Sequence, residues 1–462
     1  MTRLSHPGEV KPSGQRWLAS IPIHWHAGPV KRFIARIESG TSVNATDLPA
    51  ADGELGVLKT SCVYTGAFDP TKNKTVVPNE LDLVSCPVRP GSLIVSRMNT
   101  PDLVGAAGLV KMAAPNLYLP DRLWQISFDG IEPAFAHYWT QSNIYRACVK
   151  AVCAGTSASM QNLSQDDFRA FPFAAPARPE QALIAGFLDR ETTRIDALIE
   201  KKTRFIELLR EKRQAALEQL LTRGHDASVS MKDSGFAWLG RVPAHWVVTR
   251  LRFVVSRFEQ GWSPDCYAYP AADGEWGVLK AGCVNGGTFD AAENKQLPAG
   301  EEPRPEIEVL AGDVLMSRAS GSPDLIGSVA RATATGARLM LSDKTFRITL
   351  RSDWDCDYFV ALMGCTPMRE QIKLSISGAE GLANNLAQAS IKDFVVPGPP
   401  RHEQAAIART VAHRTDQIDR ILDRTAASIR LLKERRAALI TAAVTGQIDV
   451  RAEQPASTLA PV

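Results

Sequence analysis

The sequence predicts a mixed α/β protein. Two tandem domains of short strands and helices are each followed by a long helix, and the two long helices pair as an antiparallel coiled coil within an internal pseudo-two-fold repeat. Three observations carry this. The stretch "ADGELGVLKTSCVYTGAFDPTKNK" from Ala51 returns 221 residues later as "ADGEWGVLKAGCVNGGTFDAAENK" from Ala272, with fifteen of twenty-four positions identical. Each copy lies in a region of short apolar runs punctuated by Gly, Pro, Asn and Asp, the texture of strands and long loops. Each region then gives way to about 44 residues without a Pro past the first turn and with Gly186 as the one internal Gly of the two segments, long for a globular helix and suited to a coiled coil.

The repeat extends well beyond that stretch. "WLASIPIHW" from Trp17 pairs with "WLGRVPAHW" from Trp238, and Ser96-Arg97 with Ser317-Arg318, at the same offset of 221. The offset grows to 223 where Glu180-Gln181 meets Glu403-Gln404, which two small loop insertions explain. The unit is domain-sized and not a solenoid repeat. The expected division is a first domain over 1–178, a central helix over 179–224, a second domain over 225–398, a C-terminal helix over 399–446 and a flexible tail over 447–462. Within the domains, "GVLKTSCV", "GSLIVSRM" and "LWQISF" read as strands. One helix is expected from Pro133 and a counterpart from Asp357.

The long helices start after Pro-rich breaks, "FPFAAPARPEQ" and "FVVPGPPRHEQ", where Pro and Glu suit a helix N-terminus, and Gly224 ends the first. Their apolar seam is expected at Ile184, Leu188, Ile195, Leu198, Phe205 and Leu209 in the first, and at Ile407, Val411, Ile418, Ile421, Leu432 and Leu439 in the second. A helix lying along its own domain would use the same pattern, but two matched seams favour pairing.

Composition is that of an ordinary soluble globular protein, with 45% hydrophobic and 22% charged residues over 462 positions. No apolar run reaches membrane-span length and the N-terminus lacks a signal-peptide core, so a cytoplasmic protein without a membrane partner is expected. The eight cysteines show no metal-ligand spacing; Cys62 and its repeat partner Cys283 read as small core residues. No nucleotide-binding loop is present. Pro264-Asp265, followed much later by Glu293-Asn294-Lys295, loosely imitates a metal-dependent nuclease's acidic set, but the partner copy of the latter reads Lys72-Asn73-Lys74, which would repel a cation. Net charge is only +3. It is uneven: 1–178 carries 17 basic and 14 acidic residues (+3), and 225–398 carries 17 and 21 (−4). A polyanion would have to be met by local patches.

The joint order of these elements resembles the specificity subunit of Type I restriction-modification enzymes. Its marks are an "IPxHW"-like opening in each half, then "ARPEQALIAGFLDRETTRIDALIEKK" and "PPRHEQAAIARTVAHRTDQIDRILDR". The resemblance implies a non-catalytic subunit whose two target-recognition domains each read one half of a gapped double-stranded DNA site. The helices would set the spacing and hold two methyltransferase subunits, through which motor-nuclease subunits attach. S-adenosylmethionine, ATP and magnesium would then belong to those partners, and this chain would bind no cofactor or metal of its own. Two alternatives stay open: a specificity partner of a single-chain nuclease-methyltransferase, and a duplicated protein-protein scaffold.

Within that frame, the DNA-facing candidates are matched cations near strand ends: Lys59 and Lys280, Lys74 and Lys295, Arg97 and Arg318. Residues that differ between copies, such as Asn99 beside Ser320 and Tyr64 beside Asn285, are expected to read bases. His24 and His245, each before a tryptophan, read as packing residues.

Overall fold

The computed structural model describes residues 8–153, 160–377 and 384–451. The chain divides into two compact units: Met1–Thr203 with Ala427–Val462, and Arg204–Ala426.

In the first unit a four-stranded antiparallel sheet runs in the order Ala107–Leu109, Leu93–Ser96, Leu123–Phe128, Ile34–Ser39. The strand Leu93–Ser96 is buried along its whole length, as a central strand covered on both faces must be. Leu93 and Val95 join the large core with Trp124, Phe135, Tyr145 and Phe173, while Ile94 points into a second core with Leu58, Cys62, Val63 and Leu119. That second core lies under a smaller sheet in the order Leu117–Tyr118, Gly56–Leu58, Asn73–Val76, Ala45–Thr46. The helix expected from Pro133 is two, α1 (Pro133–Thr140) and α2 (Asn143–Cys153). Ser142 Oγ donates to the Trp139 carbonyl and accepts from the Tyr145 N–H, closing one helix and opening the next. A short α3 (Gln165–Ala170) follows, and then α4 (Arg178–Arg223).

The second unit repeats this. Its sheet runs Val255–Gln260, Thr345–Leu350, Val314–Ser317, Val329–Arg331, and the rungs coincide: Val95 faces Trp124 as Met316 faces Phe346. The helix expected from Asp357 is likewise broken, into α5 (Cys356–Met363) and α6 (Thr366–Leu374), at Gly364-Cys365. α7 (Gln388–Asp393) precedes α8 (Arg401–Val444). Cys62 and Cys283 are wholly buried core residues, and burial pushes each thiol up to about 12.

Each long helix gives one half to each unit. In the first unit Ile184, Leu188 and Ile195 of α4 pack with Leu439 and Ile440 of α8. In the second, Leu220 and Leu221 of α4 pack with Ile407 and Val411 of α8. Cross-helix ion pairs repeat as well: Asp196 with Arg436 at 2.9 Å in the first unit, and Asp419 with Arg213 at 2.9 Å in the second. Going from Glu180 to Asp196 on α4, the neighbours on the other strand go from Ile448 back to Arg436, so the segments are antiparallel. The order Arg213–Asp419, His225–Thr410 gives the same sense in the second unit.

The expected seam holds at both ends and slips in the middle. Leu209 and Ile418 are half-buried and Leu432 packs against the first core, but Leu198, Phe205 and Ile421 are 41%, 46% and 42% exposed. The half-buried positions there are one residue on: Ile199, Ile206 and Leu422. Steps of four then three from Ile195 keep one face inward, whereas the expected step of three to Leu198 leads off it. The start of the expected tail is also packed: Ile448 lies against the first core and Val450 is 6% exposed. The remainder of that tail, 452–462, lies outside the described residues.

A single tryptophan fastens the helices in each unit. Trp25 Nε1 donates to Glu180 Oε1 (3.1 Å) and His24 Nε2 lies 2.9 Å from Glu180 Oε2, at the start of α4. Trp246 and His245 hold Glu403 at the start of α8 in the same way, at 2.9 and 2.7 Å. The histidines are therefore partly exposed hydrogen-bonding groups and not purely packing residues. The same rings receive the glycine that ends the other helix: Gly446 (φ +70°) against Trp25, and Gly224 (φ +76°) against Trp246. A Cβ on Gly446 would lie 2.4 Å from the rigid Pro22 ring, and one on Gly224 3.1 Å from Trp246. Gly446→Ala should therefore cost at least about 2 kcal/mol and Gly224→Ala about 1–2 kcal/mol, read from denaturation midpoints. Glu180→Ala and Glu403→Ala, which leave a buried indole N–H unpaired, should each cost about 1–3 kcal/mol in the same measurement.

Candidate nucleic-acid interface

Most identities in the duplicated stretch serve the scaffold. Gly56 and Gly277 leave room for the Asn73 and Asn294 carbonyls, which a Cβ would meet at 3.0 and 2.7 Å. Those buried asparagines accept from the Ala50 and Ala271 N–H groups and donate to the Pro70 and Ala291 carbonyls. Asp69 and Asp290 close matching turns, accepting from the Thr71 and Ala292 N–H groups. Two cations common to both copies are left without such a duty: Lys59 and Lys74, Lys280 and Lys295.

In the first unit both lysines converge on one carboxylate. Lys59 Nζ lies 2.9 Å and Lys74 Nζ 3.2 Å from Asp47 Oδ1. Hydrogen bonds from Lys59 and then Lys74 hold the Asp47 carboxyl below the usual carboxylate range. Asn99, expected to read bases, is 6% exposed. Its amide donates to Tyr64 Oη (2.8 Å) and Ser96 Oγ (3.2 Å) and its carbonyl accepts from the Thr100 N–H, so it is spent inside the protein. It orients Tyr64, whose hydroxyl also meets Thr60 Oγ1 at 2.9 Å and whose ring is 36% exposed.

In the second unit Lys280 and Lys295 line one open cleft of about 560 Å³ with Ser263, Ser320 and Lys344. Lys280 lies 3.8 Å from Glu293 Oε2, and neither Lys295 nor Lys344 makes an ion pair among the described residues. Asp47 has no counterpart here, since Ala268 occupies its place. Tyr267 and Tyr269, where the first unit has Thr46 and Leu48, stack with centroids 5.4 Å apart and stay 46% and 54% exposed.

Arg97 and Arg318 are tied back loosely. Arg97 Nη1 reaches the Asp121 carbonyl (3.5 Å) and Nε the Asn162 side chain (3.4 Å). Arg318 Nη1 reaches the Asp343 carbonyl (3.4 Å) and the guanidinium lies 5.9 Å from the Phe346 ring centre. Asp121 and Asp343 in turn accept from Ser42 and Ser263. Sequence reasoning missed Asp47 and Lys344. The signal for Asp47 was available: a charge in one copy facing alanine in the other. Lys344 carried one too: its partner Arg122 is also a cation, matched at an offset of 222 and not 221 because of the loop insertion. Among the described residues no three His, Cys, Asp or Glu side chains gather as a metal-ligand set, and no helix is long and apolar enough to cross a membrane.

Fold and site define a duplicated recognition protein, with one scaffold used twice and different side chains mounted around the same cations. No family model matches the chain. It is 22% identical over 449 residues to the Type I restriction enzyme EcoKI specificity subunit of Escherichia coli (strain K12), covering 94% of this chain and 92% of that one. Over 446 residues it is 22% identical to the StySPI specificity subunit of Salmonella potsdam, with the same coverage. The EcoEI specificity subunit of Escherichia coli is 31% identical over 174 residues, 37% of this chain and 29% of that protein. The fold matches the HsdS subunit from Thermoanaerobacter tengcongensis (TM-score 0.53, 16% identity, 93% and 98% of the two chains). It matches more closely a chain from work on complex assembly and conformational transition of the type I R-M system (TM-score 0.69, 14% identity, 93% and 99%). Over nearly its whole length the chain is thus similar to specificity subunits of Type I restriction enzymes.

The Asp47 geometry makes a prediction of its own. A carboxyl whose ionised form is favoured in the folded state loses that advantage as pH falls through its lowered pKa. In a carboxyl-carbon NMR titration Asp47 should therefore protonate below the usual aspartate value of about 3.9. Lys59→Met should move its midpoint upward.

Proposed function

We propose that the chain is the DNA sequence-recognition subunit of a Type I restriction-modification complex and has no catalytic activity of its own. Each unit reads one half of a gapped, bipartite double-stranded site. The two long helices, shared between the units, set the gap and dock two methyltransferase subunits, to which motor-nuclease subunits attach. S-adenosylmethionine, ATP and magnesium act on those partners. One observation carries the reading: the same three cations recur in both units on the same scaffold, while the side chains around them differ. Shared cations suit the phosphate backbone, which is the same at every site, and differing neighbours suit bases. Since Asp47 and Tyr64 are replaced by Ala268 and Asn285, the two half-sites are different sequences.

The weak net charge, with the second domain at −4 by its 17 basic and 21 acidic residues, implies that the isolated chain binds DNA poorly. Tight binding then requires the methyltransferase subunits, which add cationic contacts and buried surface. In the assembled complex Lys280→Ala with Lys295→Ala should weaken binding to all duplexes and reduce the slope of log K against log salt by about 1–2. Arg97→Ala and Arg318→Ala should weaken binding at all sequences if they touch phosphate, or relax preference at one half-site if they touch a base. Salt-independent binding, or a salt slope unchanged in the double lysine variant, would favour a protein-protein scaffold.

A further inference from the structure

The site at Asp47 supports a more specific reading, which rests on the DNA-recognition function proposed above. Asp47 is held on both sides by backbone pairing. Thr46 pairs with Thr75, and the Thr75 N–H donates to the Leu48 carbonyl. The second unit repeats this frame around Ala268, where the Tyr267 N–H donates to the Gln296 carbonyl and the Gln296 N–H to the Tyr269 carbonyl. The position is therefore structurally equivalent in the two units, and only the side chain differs. Tyr267 and Tyr269, on either side of Ala268 in the chain, stack on each other with centroids 5.4 Å apart.

The Asp47 side chain is 75% exposed, although two lysines hold it. A carboxylate has about four acceptor sites, and the two ammonium groups, both on Oδ1, leave the second oxygen able to accept. The first unit thus presents an acceptor directly beside two donors, whereas in the second no carboxylate joins the two lysines: Glu293 approaches Lys280 only, at 3.8 Å. In the major groove a C·G pair shows a matching pattern, the cytosine N4 amino donor next to the guanine O6 and N7 acceptors. A·T offers an amino group too, but its two acceptors, adenine N7 and thymine O4, lie on opposite sides of that group, whereas guanine O6 and N7 lie together on one side, a better match to a lysine pair. A carboxylate placed there also repels phosphate, which suits a base-facing position and not a backbone-facing one.

We infer that Asp47, flanked by Lys59 and Lys74, reads a C·G base pair in the half-site of the first unit, and that Ala268 leaves the equivalent position of the second half-site without that preference. Asp47 is a specificity-determining residue in this account: it draws Lys59 and Lys74 toward the guanine edge, whereas their counterparts Lys280 and Lys295, without it, serve the phosphate backbone.

The test uses the full chain assembled with its methyltransferase subunits and a duplex library randomised through both half-sites. The wild-type complex should enrich C·G at one position of one half-site. Asp47→Asn, which keeps the shape and lies on an exposed residue, should reduce that preference roughly ten-fold and leave the other half-site as it was. Ala268→Asp should impose a new C·G preference at one position of the other half-site. If Asp47→Asn scales binding of every duplex by one factor, or changes nothing, the carboxylate only tethers the lysines and the inference is wrong while DNA recognition stands. A wild-type complex that enriches no sequence sinks both.

Discussion

The indole ring at the start of each repeat is the constraint on which the architecture turns. Trp25 and Trp246 are each 1% exposed, yet their N–H groups are satisfied by the carboxylate that opens a long helix and their faces are covered by the glycine that closes the other. A buried N–H needs a partner, and a helix end needs its unpaired groups satisfied or removed. One residue meets both requirements only if the beginning of one helix and the end of the other lie side by side. Antiparallel pairing within each unit follows from that, and the Asp196–Arg436 and Asp419–Arg213 pairs keep the register. With side chains 30–49% exposed, those ion pairs contribute about 1 kcal/mol or less each, so they specify more than they stabilise.

This arrangement gives the signature residues separate tasks. In "PEQ" and "HEQ" the glutamate binds the indole, and the 1% exposed glutamine ties the helix start to the preceding backbone. Gln181 donates to the Pro176 and Gly130 carbonyls and accepts from the Glu132 N–H; Gln404 does the same with Pro399, Asp353 and Asp355. It also makes the two units unequal in assembly. The second is continuous from Arg204 to Ala426, but the first takes its last helical segment from beyond Ala427. During synthesis the second can close its core while the first still lacks Ile440, Ala443 and Val450.

The sequence made the duplication, the strand-rich domains and both long helices legible, because identity at fixed offset and an uninterrupted helical run survive without tertiary information. The helix breaks at Ser142 and Gly364 did not stand out, since a serine or glycine between apolar stretches also occurs inside helices. The seam drifted at Leu198 and Phe205 because several apolar residues there offer two faces, and only the packed partner selects one. At the candidate interface the cations were found by matching copies. Asn99 was misread because a polar difference between copies looks the same whether it points to a ligand or, as here, props up Tyr64.

Comparison of the copies separates two kinds of residue. A residue kept in both units is either part of the scaffold, as Asn73 and Asn294 are, or performs a task both units share. The hydrogen bonds around Gly56, Asn73 and Asp69 exhaust the first explanation for most of the duplicated stretch and leave the lysines for the second. Their setting then differs in its carboxylates: Asp47 joins Lys59 and Lys74, while in the second unit Ala268 leaves Lys280, Lys295 and Lys344 in one cleft with Asp343, and Glu293 approaches Lys280 alone. The net negative charge of the second domain is therefore compatible with meeting a polyanion, because fields near a cleft are set by the groups that line it, and more distant exposed charges are screened over about 8–10 Å of electrolyte. One scaffold can thus serve two half-sites, holding the shared cations in place while the exposed positions around them change.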